Sequence, residues 1–140
     1  ENACEIREQL GDRALMRAIH FCNENERVDG MKTALKSGNL DAYFEGVLES
    51  GRSSFCYLQN VYTTKNITEQ GLSLALAVSE KLLKGKGAWR VHGGGFAGTI
   101  QAFVPNDMLE EYKTTIEGIF GNGTCHILNI RPVGGTKVEE

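Results

Sequence analysis

The chain has 140 residues, 41% of them hydrophobic, with 17 glycines and a net charge of −3. That length and composition predict one globular domain over residues 1–140, able to bury roughly two-thirds of its unfolded surface, and exclude a disordered chain. The mildly acidic balance, with no Lys/Arg cluster, argues against nucleic-acid binding by phosphate neutralisation, and no apolar run approaches the roughly 18 residues of a membrane span.

No signal-peptide pattern opens the chain. Cys4, Cys22, Cys56 and Cys125 are scattered and never form C-x-x-C, a usage that predicts reduced, partly buried thiols in a cytoplasmic protein rather than a metal or redox centre. Asn66-Ile67-Thr68 and Asn122-Gly123-Thr124 match the glycosylation pattern, but without a secretory signal they predict no modification. The first residue is Glu1 rather than methionine, which reads as a piece of something longer.

Helical spacing begins at once: Ile6 and Leu10, then Leu15, Ile19 and Cys22, predict helix from about Ala3 to Lys36, with a break at Gly11-Asp12. Ser37-Gly38-Asn39 is a stop signal, with a glycine suited to a left-handed cap. Leu40, Tyr43, Phe44, Val47 and Leu48 define a second helix, ended by Gly51. Ser53 to Asn66 has no clear period: Phe55-Cys56-Tyr57-Leu58 either continues the helix or forms a short buried stretch, and Thr63–Asn66 reads as loop. A third helix is predicted from Thr68, as N-cap, to Leu83, and Gly85-Lys86-Gly87 breaks the chain again.

Ala88–His92 and Thr99–Val104 carry the β-branched and aromatic residues of two strands. Pro105-Asn106-Asp107 ends the second strand and caps a fourth helix, whose apolar side is Leu109, Tyr112, Ile116, Ile119 and Phe120. After the turn at Gly121-Asn122-Gly123, alternation over Cys125–Ile130 predicts a last strand. The order predicts an α+β fold: a small, mostly antiparallel sheet covered by helices on one face.

Between the two strands lie four glycines in six residues, Gly93, Gly94, Gly95 and Gly98, with Phe96 and Ala97 among them. Successive N–H groups in such a turn can form a cradle for an anion. Gly93, Gly95 and Gly98 satisfy G-x-G-x-x-G, but a dinucleotide site needs a helix next, and Thr99–Val104 is a strand pattern. A Walker loop needs Lys-Ser/Thr after the glycines, and the protein-kinase partner motifs are absent. A valine at Gly94 or Gly95 would cost about 1–3 kcal/mol wherever φ is positive. His20 and His126 lack an acidic or cysteine partner at ligand spacing and read as structural. Glu110, Glu111 and Glu117, with Lys113, read as a solvated helix face. Nothing in the chain is assigned as a general base, catalytic residue or metal ligand.

Arg90-Val91-His92-Gly93-Gly94-Gly95-Phe96-Ala97-Gly98 resembles the third signature of the GHMP small-molecule kinases, in its galactokinase form. Arg17-Ala18-Ile19-His20-Phe21 with Glu24-Asn25-Glu26-Arg27-Val28 resembles the family helix carrying R-x-x-H and then E-N-x-R-V. Glu49-Ser50 with Ser53-Ser54 resembles the end of the next helix, and Leu128-Asn129-Ile130-Arg131-Pro132 before Gly134-Gly135 resembles the closing strand and tail. The likeness spans nearly the whole chain in order. It departs at Ala97, where many members have glycine, at His92, where Thr or Ser is common, and at Gly51-Arg52 and Phe55-Cys56-Tyr57, in a segment often acidic.

The resemblance implies the ferredoxin-like C-terminal domain of an enzyme that moves the γ-phosphoryl group of ATP to the anomeric hydroxyl of galactose. It implies that ATP and Mg are held mainly by an N-terminal kinase domain in cis, whose motifs this sequence lacks. Gly93, Gly94, Gly95, Phe96, Ala97 and Gly98 would form the loop at the phosphate site, with Phe96 packed beneath it and His92 able to reach phosphate or sugar. This portion alone would be inactive. The alternatives are a non-catalytic sugar or nucleotide sensor of the same build, or a kinase for a related hexose.

Overall fold

The computed structural model describes residues 2–96, 98–130 and 132–134. The first predicted helix is two, α1 (Ala3–Leu10) and α2 (Asp12–Lys36), parted at Gly11, whose φ of +81° no helix accommodates. Across that break the Arg7 guanidinium donates to Asp12 at 2.5 Å. Gly38 takes φ +71° beyond α2. Asn39 then caps α3 (Leu40–Ser53), its side-chain oxygen accepting from the Ala42 N–H at 3.0 Å.

The expectation that Gly51 ends this helix is overturned. α3 runs on to Ser53 and continues as a π-helical turn over Ser54–Leu58. Gly51 is there for packing: a Cβ on it would lie 3.0 Å from the Arg90 Cβ and 3.3 Å from the Trp89 carbonyl oxygen. The third predicted helix also starts later. Thr68 folds back on Asn66, donating to its side-chain oxygen from both hydroxyl (2.8 Å) and N–H (3.2 Å), and α4 spans Gly71–Leu83 without a side-chain cap.

β1 (Ala88–Val91) and β2 (Ile100–Phe103) form an antiparallel hairpin that pairs Ala88 with Phe103 and Val91 with Ile100. Gly87 precedes it because Phe103 crowds that point: a Cβ would sit 2.2 Å from the Phe103 carbonyl oxygen. A 3-10 turn, Asn106–Met108, leads into α5 (Leu109–Phe120), and no side chain of the Pro105-Asn106-Asp107 segment caps it. The fold is α+β, as the sequence implies, with an antiparallel two-stranded sheet among the described residues.

Opposed residues in an antiparallel pair share a face. Trp89 and Ala102 pack with α4 and α5 on a core of Leu83, Tyr112 and Ile116. The expectation of helices on one face only is corrected: on the other face α3 adds cover, its Tyr43 and Phe44 rings 5.7 and 5.6 Å from that of Phe103. Inside the core the Ser79 hydroxyl donates to the Ala75 carbonyl at 2.8 Å, leaving its oxygen to accept the Tyr112 O–H at 2.7 Å. Burial pushes the Tyr112 pKa up, against a smaller lowering by the Ser79 contact. Burial, then the Glu117 charge, pushes the Cys125 thiol up as well. The cysteines are free, but Cys4, Cys22 and Cys56 are exposed rather than partly buried.

The predicted last strand is not formed. Cys125 packs beside the core, but Leu128 and Ile130 are 86% and 88% exposed, and 125–130 has no regular structure. Alternation specifies which side chains could share a face; a strand also needs a neighbouring edge to take up its backbone hydrogen bonds.

Candidate functional site

The glycine turn is built outward from the hairpin. Past the Val91–Ile100 pair, the His92 N–H donates to the Thr99 carbonyl at 3.1 Å and closes the neck. Within the turn Gly93, Gly95 and Gly98 have φ of +68°, +71° and +92°, conformations that glycine reaches without the penalty a Cβ carries. The space outside Gly93, Gly94 and Gly98 is open, with no atom of the described residues within 4 Å of where a Cβ would sit. Gly94 itself is not left-handed, so the penalty expected for a larger residue there applies to Gly95 and not to Gly94. Ala97 lies outside the described residues.

Gly95 faces Asn60. A Cβ on Gly95 would meet the Asn60 carbonyl oxygen at 2.3 Å and its side-chain amide at 2.7 Å. The Phe96 N–H donates to that carbonyl at 2.8 Å, and the Asn60 Nδ2 donates to the Gly94 carbonyl at 3.2 Å. Three consecutive turn residues are thus held by one. Asn60 is 2% exposed, and its Oδ1 is buried with no hydrogen-bond partner among the described residues. The sequence reading missed this residue because it lies in the segment without a period. No local pattern marks it: Gln59 takes φ +52° after the π-helical turn, and Asn60 and Val61 beyond it are buried.

Phe96 does not pack under the turn. It is 57% exposed and sits at φ +52°, a region that costs an aromatic residue about 1–2 kcal/mol and persists only where the surroundings enforce it. Phe96 and Gly98 line a cleft of about 180 Å³ with Val61, Tyr62 and the start of α4 at Gln70 and Gly71. The first amides of α4, which lack a side-chain cap, carry the positive end of the helix dipole. His92 is exposed at the neck.

A second group of motif residues converges beneath the hairpin. The Arg90 Nη1 donates to the Ser50 hydroxyl at 2.8 Å, and that hydroxyl donates to Glu24 Oε1 at 2.5 Å. The other Glu24 oxygen pairs with the Arg27 guanidinium. Arg27 Nε lies 3.5 Å from a Glu49 oxygen without hydrogen-bond geometry. One turn along α3, Ser53 bonds His20 Nδ1 at 2.9 Å. Residues from α2, α3 and β1 are therefore coupled into one brace, beside which His20 is tied to α3 through Ser53. His126 is exposed, and Glu117 accepts the Gly123 N–H at 3.0 Å. Arg131 and Gly135 fall outside the described residues.

A larger cavity, about 920 Å³, opens between α3 and α4. It is lined by charges of both signs, Arg52 being tied to Glu45 at 3.1 Å, and it lies away from the glycine turn. Among the described residues, no group of three His, Cys, Asp or Glu could hold a metal ion, and no helix is long and apolar enough to cross a membrane.

Against this geometry, the chain is 31% identical over 121 residues to a galactokinase of Glaesserella parasuis serovar 5 (strain SH0165). It is similar to part of a galactokinase. The match covers 83% of the chain but only 28% of that protein, so it spans less than a third of the length of that curated relative. No family model and no solved structure matches.

Proposed function

We propose that this chain is the C-terminal domain of a galactokinase, which transfers the γ-phosphoryl group of ATP to the anomeric hydroxyl of galactose. The observation that carries the reading is the match to a galactokinase over 83% of the chain. The convergence of Glu24, Arg27, Ser50 and Arg90, drawn from three separate motif stretches, into one brace supports it.

ATP supplies the phosphoryl group and Mg offsets its charge; such transfers depend on positioning and electrostatic stabilisation. The turn fits a role at the phosphates. Its outer face at Gly93, Gly94 and Gly98 is open to close approach, and the turn amides and the uncapped α4 N-terminus offer donors to an anion. His92 is exposed close enough along the chain to add a contact to phosphate or sugar. Nothing in the turn carries a carboxylate, so Mg would be held mainly by an N-terminal kinase domain in cis.

A domain that meets another is also consistent with its surface. Phe21, Val28, Ile127, Leu128 and Ile130 are all exposed. A half-site supplies only some of the contacts that offset the cost of association, so the isolated chain would bind nucleotide weakly and turn nothing over.

The test is ATP-dependent phosphorylation of galactose and a hexose panel by the full-length protein, with this chain assayed beside it. Activity on galactose in the full-length protein alone is the expected result. Phosphorylation only of another hexose would reassign the substrate, and sugar binding without phosphorylation of any hexose would make the protein a sensor.

A further inference from the structure

We propose that Asn60 is the positioning residue of the glycine turn, setting the directions of its backbone amides without itself touching a ligand. The nucleotide consequence rests on the function proposed above; the mechanical role does not.

The argument starts from what could hold this turn in one shape. Glycines at 93, 94, 95 and 98 leave the backbone with more freedom than any other composition, yet three of them and Phe96 occupy left-handed conformations. The strands fix only the neck, through His92 and Thr99. Inside the turn, the hydrogen bonds to the rest of the fold that involve described residues run to Asn60: Phe96 N–H to its carbonyl at 2.8 Å, and its Nδ2–H to the Gly94 carbonyl at 3.2 Å. The near-contact at Gly95 fills the space between these bonds.

The amide orientation follows from the acceptor it meets. Turning Asn60 over would set Oδ1 against the Gly94 carbonyl, oxygen against oxygen, so Nδ2 faces the turn. Oδ1 is left buried and without a partner among the described residues, a cost an apolar residue of similar size would not incur. Stability alone therefore does not account for an asparagine here, and its donor to the turn does. Asn60 is in turn anchored by its neighbours: Val61 is buried, and the Val61 carbonyl accepts from the Ser73 hydroxyl of α4 at 3.2 Å. A path of direct contacts thus joins α4 to the turn.

The test compares Asn60→Asp, which keeps the shape but removes the donor, with Asn60→Ala, which removes the side chain but keeps the carbonyl contact. Both are made in the full-length protein. Amide hydrogen exchange is read over the turn and, as a check on folding, over α4 and α5; KM for ATP and kcat are measured on the same samples. The expected result is exchange at least tenfold faster over 92–98, with α4 and α5 as protected as before. KM for ATP should rise about tenfold and kcat change less than twofold. Unchanged exchange over the turn in Asn60→Ala, with the helices still protected, would overturn the proposal. Faster exchange with an unchanged KM for ATP would leave Asn60 as the holder of the turn and overturn the nucleotide reading instead.

Discussion

Gly95→Ala is the substitution on which the geometry of the turn bears most directly. The new Cβ would lie 2.3 Å from the Asn60 carbonyl oxygen and 2.7 Å from its side-chain amide, well inside van der Waals contact. The obstacle is buried and partly backbone, and overpacking of that kind costs about 1–3 kcal/mol. The φ of +71° adds about 1–2 kcal/mol for a residue with a Cβ. The sum is about 2–5 kcal/mol. Escape by lifting the turn off Asn60 is no less costly, because it gives up two hydrogen bonds worth about 1 kcal/mol each and leaves a buried amide unpaired. Gly94→Ala is the matched control, since Gly94 is not left-handed and no atom of the described residues lies within 4 Å of its Cβ position; it should fall within about 0.5 kcal/mol of the parent. Urea unfolding reads both. With a slope of about 1–3 kcal/mol per molar, the Gly95→Ala midpoint should fall by about 1–2 M and that of Gly94→Ala should barely move. Equal midpoints for the two variants would refute the reasoning.

The remaining expectations concern the core and the brace. Glu24→Ala removes the shared partner of Ser50, Arg27 and Arg90; for these partly buried charges the loss should be about 2–3 kcal/mol by thermal or chemical unfolding, and a loss below 0.5 kcal/mol on either measure would show the network to be incidental. Gly87→Ala places a Cβ 2.2 Å from the Phe103 carbonyl and should cost about 1–3 kcal/mol, visible as a lowered midpoint; tolerance of alanine there would contradict the hairpin register. Tyr112→Phe should cost about 1 kcal/mol for the lost bond to Ser79. The pH dependence has a definite sign. Tyr112 and Cys125 hold their protons more tightly folded than unfolded, so the unfolded chain releases protons first as pH rises. The stabilisation is complete about one pH unit below the ordinary thiol range, where both groups are protonated in either state, and is lost as pH climbs through the thiol and then the phenol range, near 10. Urea midpoints at pH 7, 9 and 10.5 should decline, and less steeply in Tyr112→Phe; a flat or rising series would contradict this.

Local sequence determined the parts of this protein that depend on neighbours along the chain. Gly11 and Gly38 bound α2, the residue pattern of Ala88–Val91 and Ile100–Phe103 makes the hairpin, and the apolar side of α5 carries Tyr112 and Ile116 into the core. The glycine turn was legible from its composition, and Glu24, Ser50 and Arg90 only through the resemblance to the kinase-family motifs. Tertiary contact decided the rest. Gly51 reads as a helix end, yet it lies inside α3 because Arg90 packs where its side chain would be. Cys125–Ile130 alternates like a strand and forms none, since alternation cannot supply a pairing edge. Asn60, the residue that grips the turn, sits in a stretch with no period at all. Its importance arises from a meeting with Gly94, Gly95 and Phe96 some 34 residues away in the chain, and a contact between distant segments leaves no local pattern in either one.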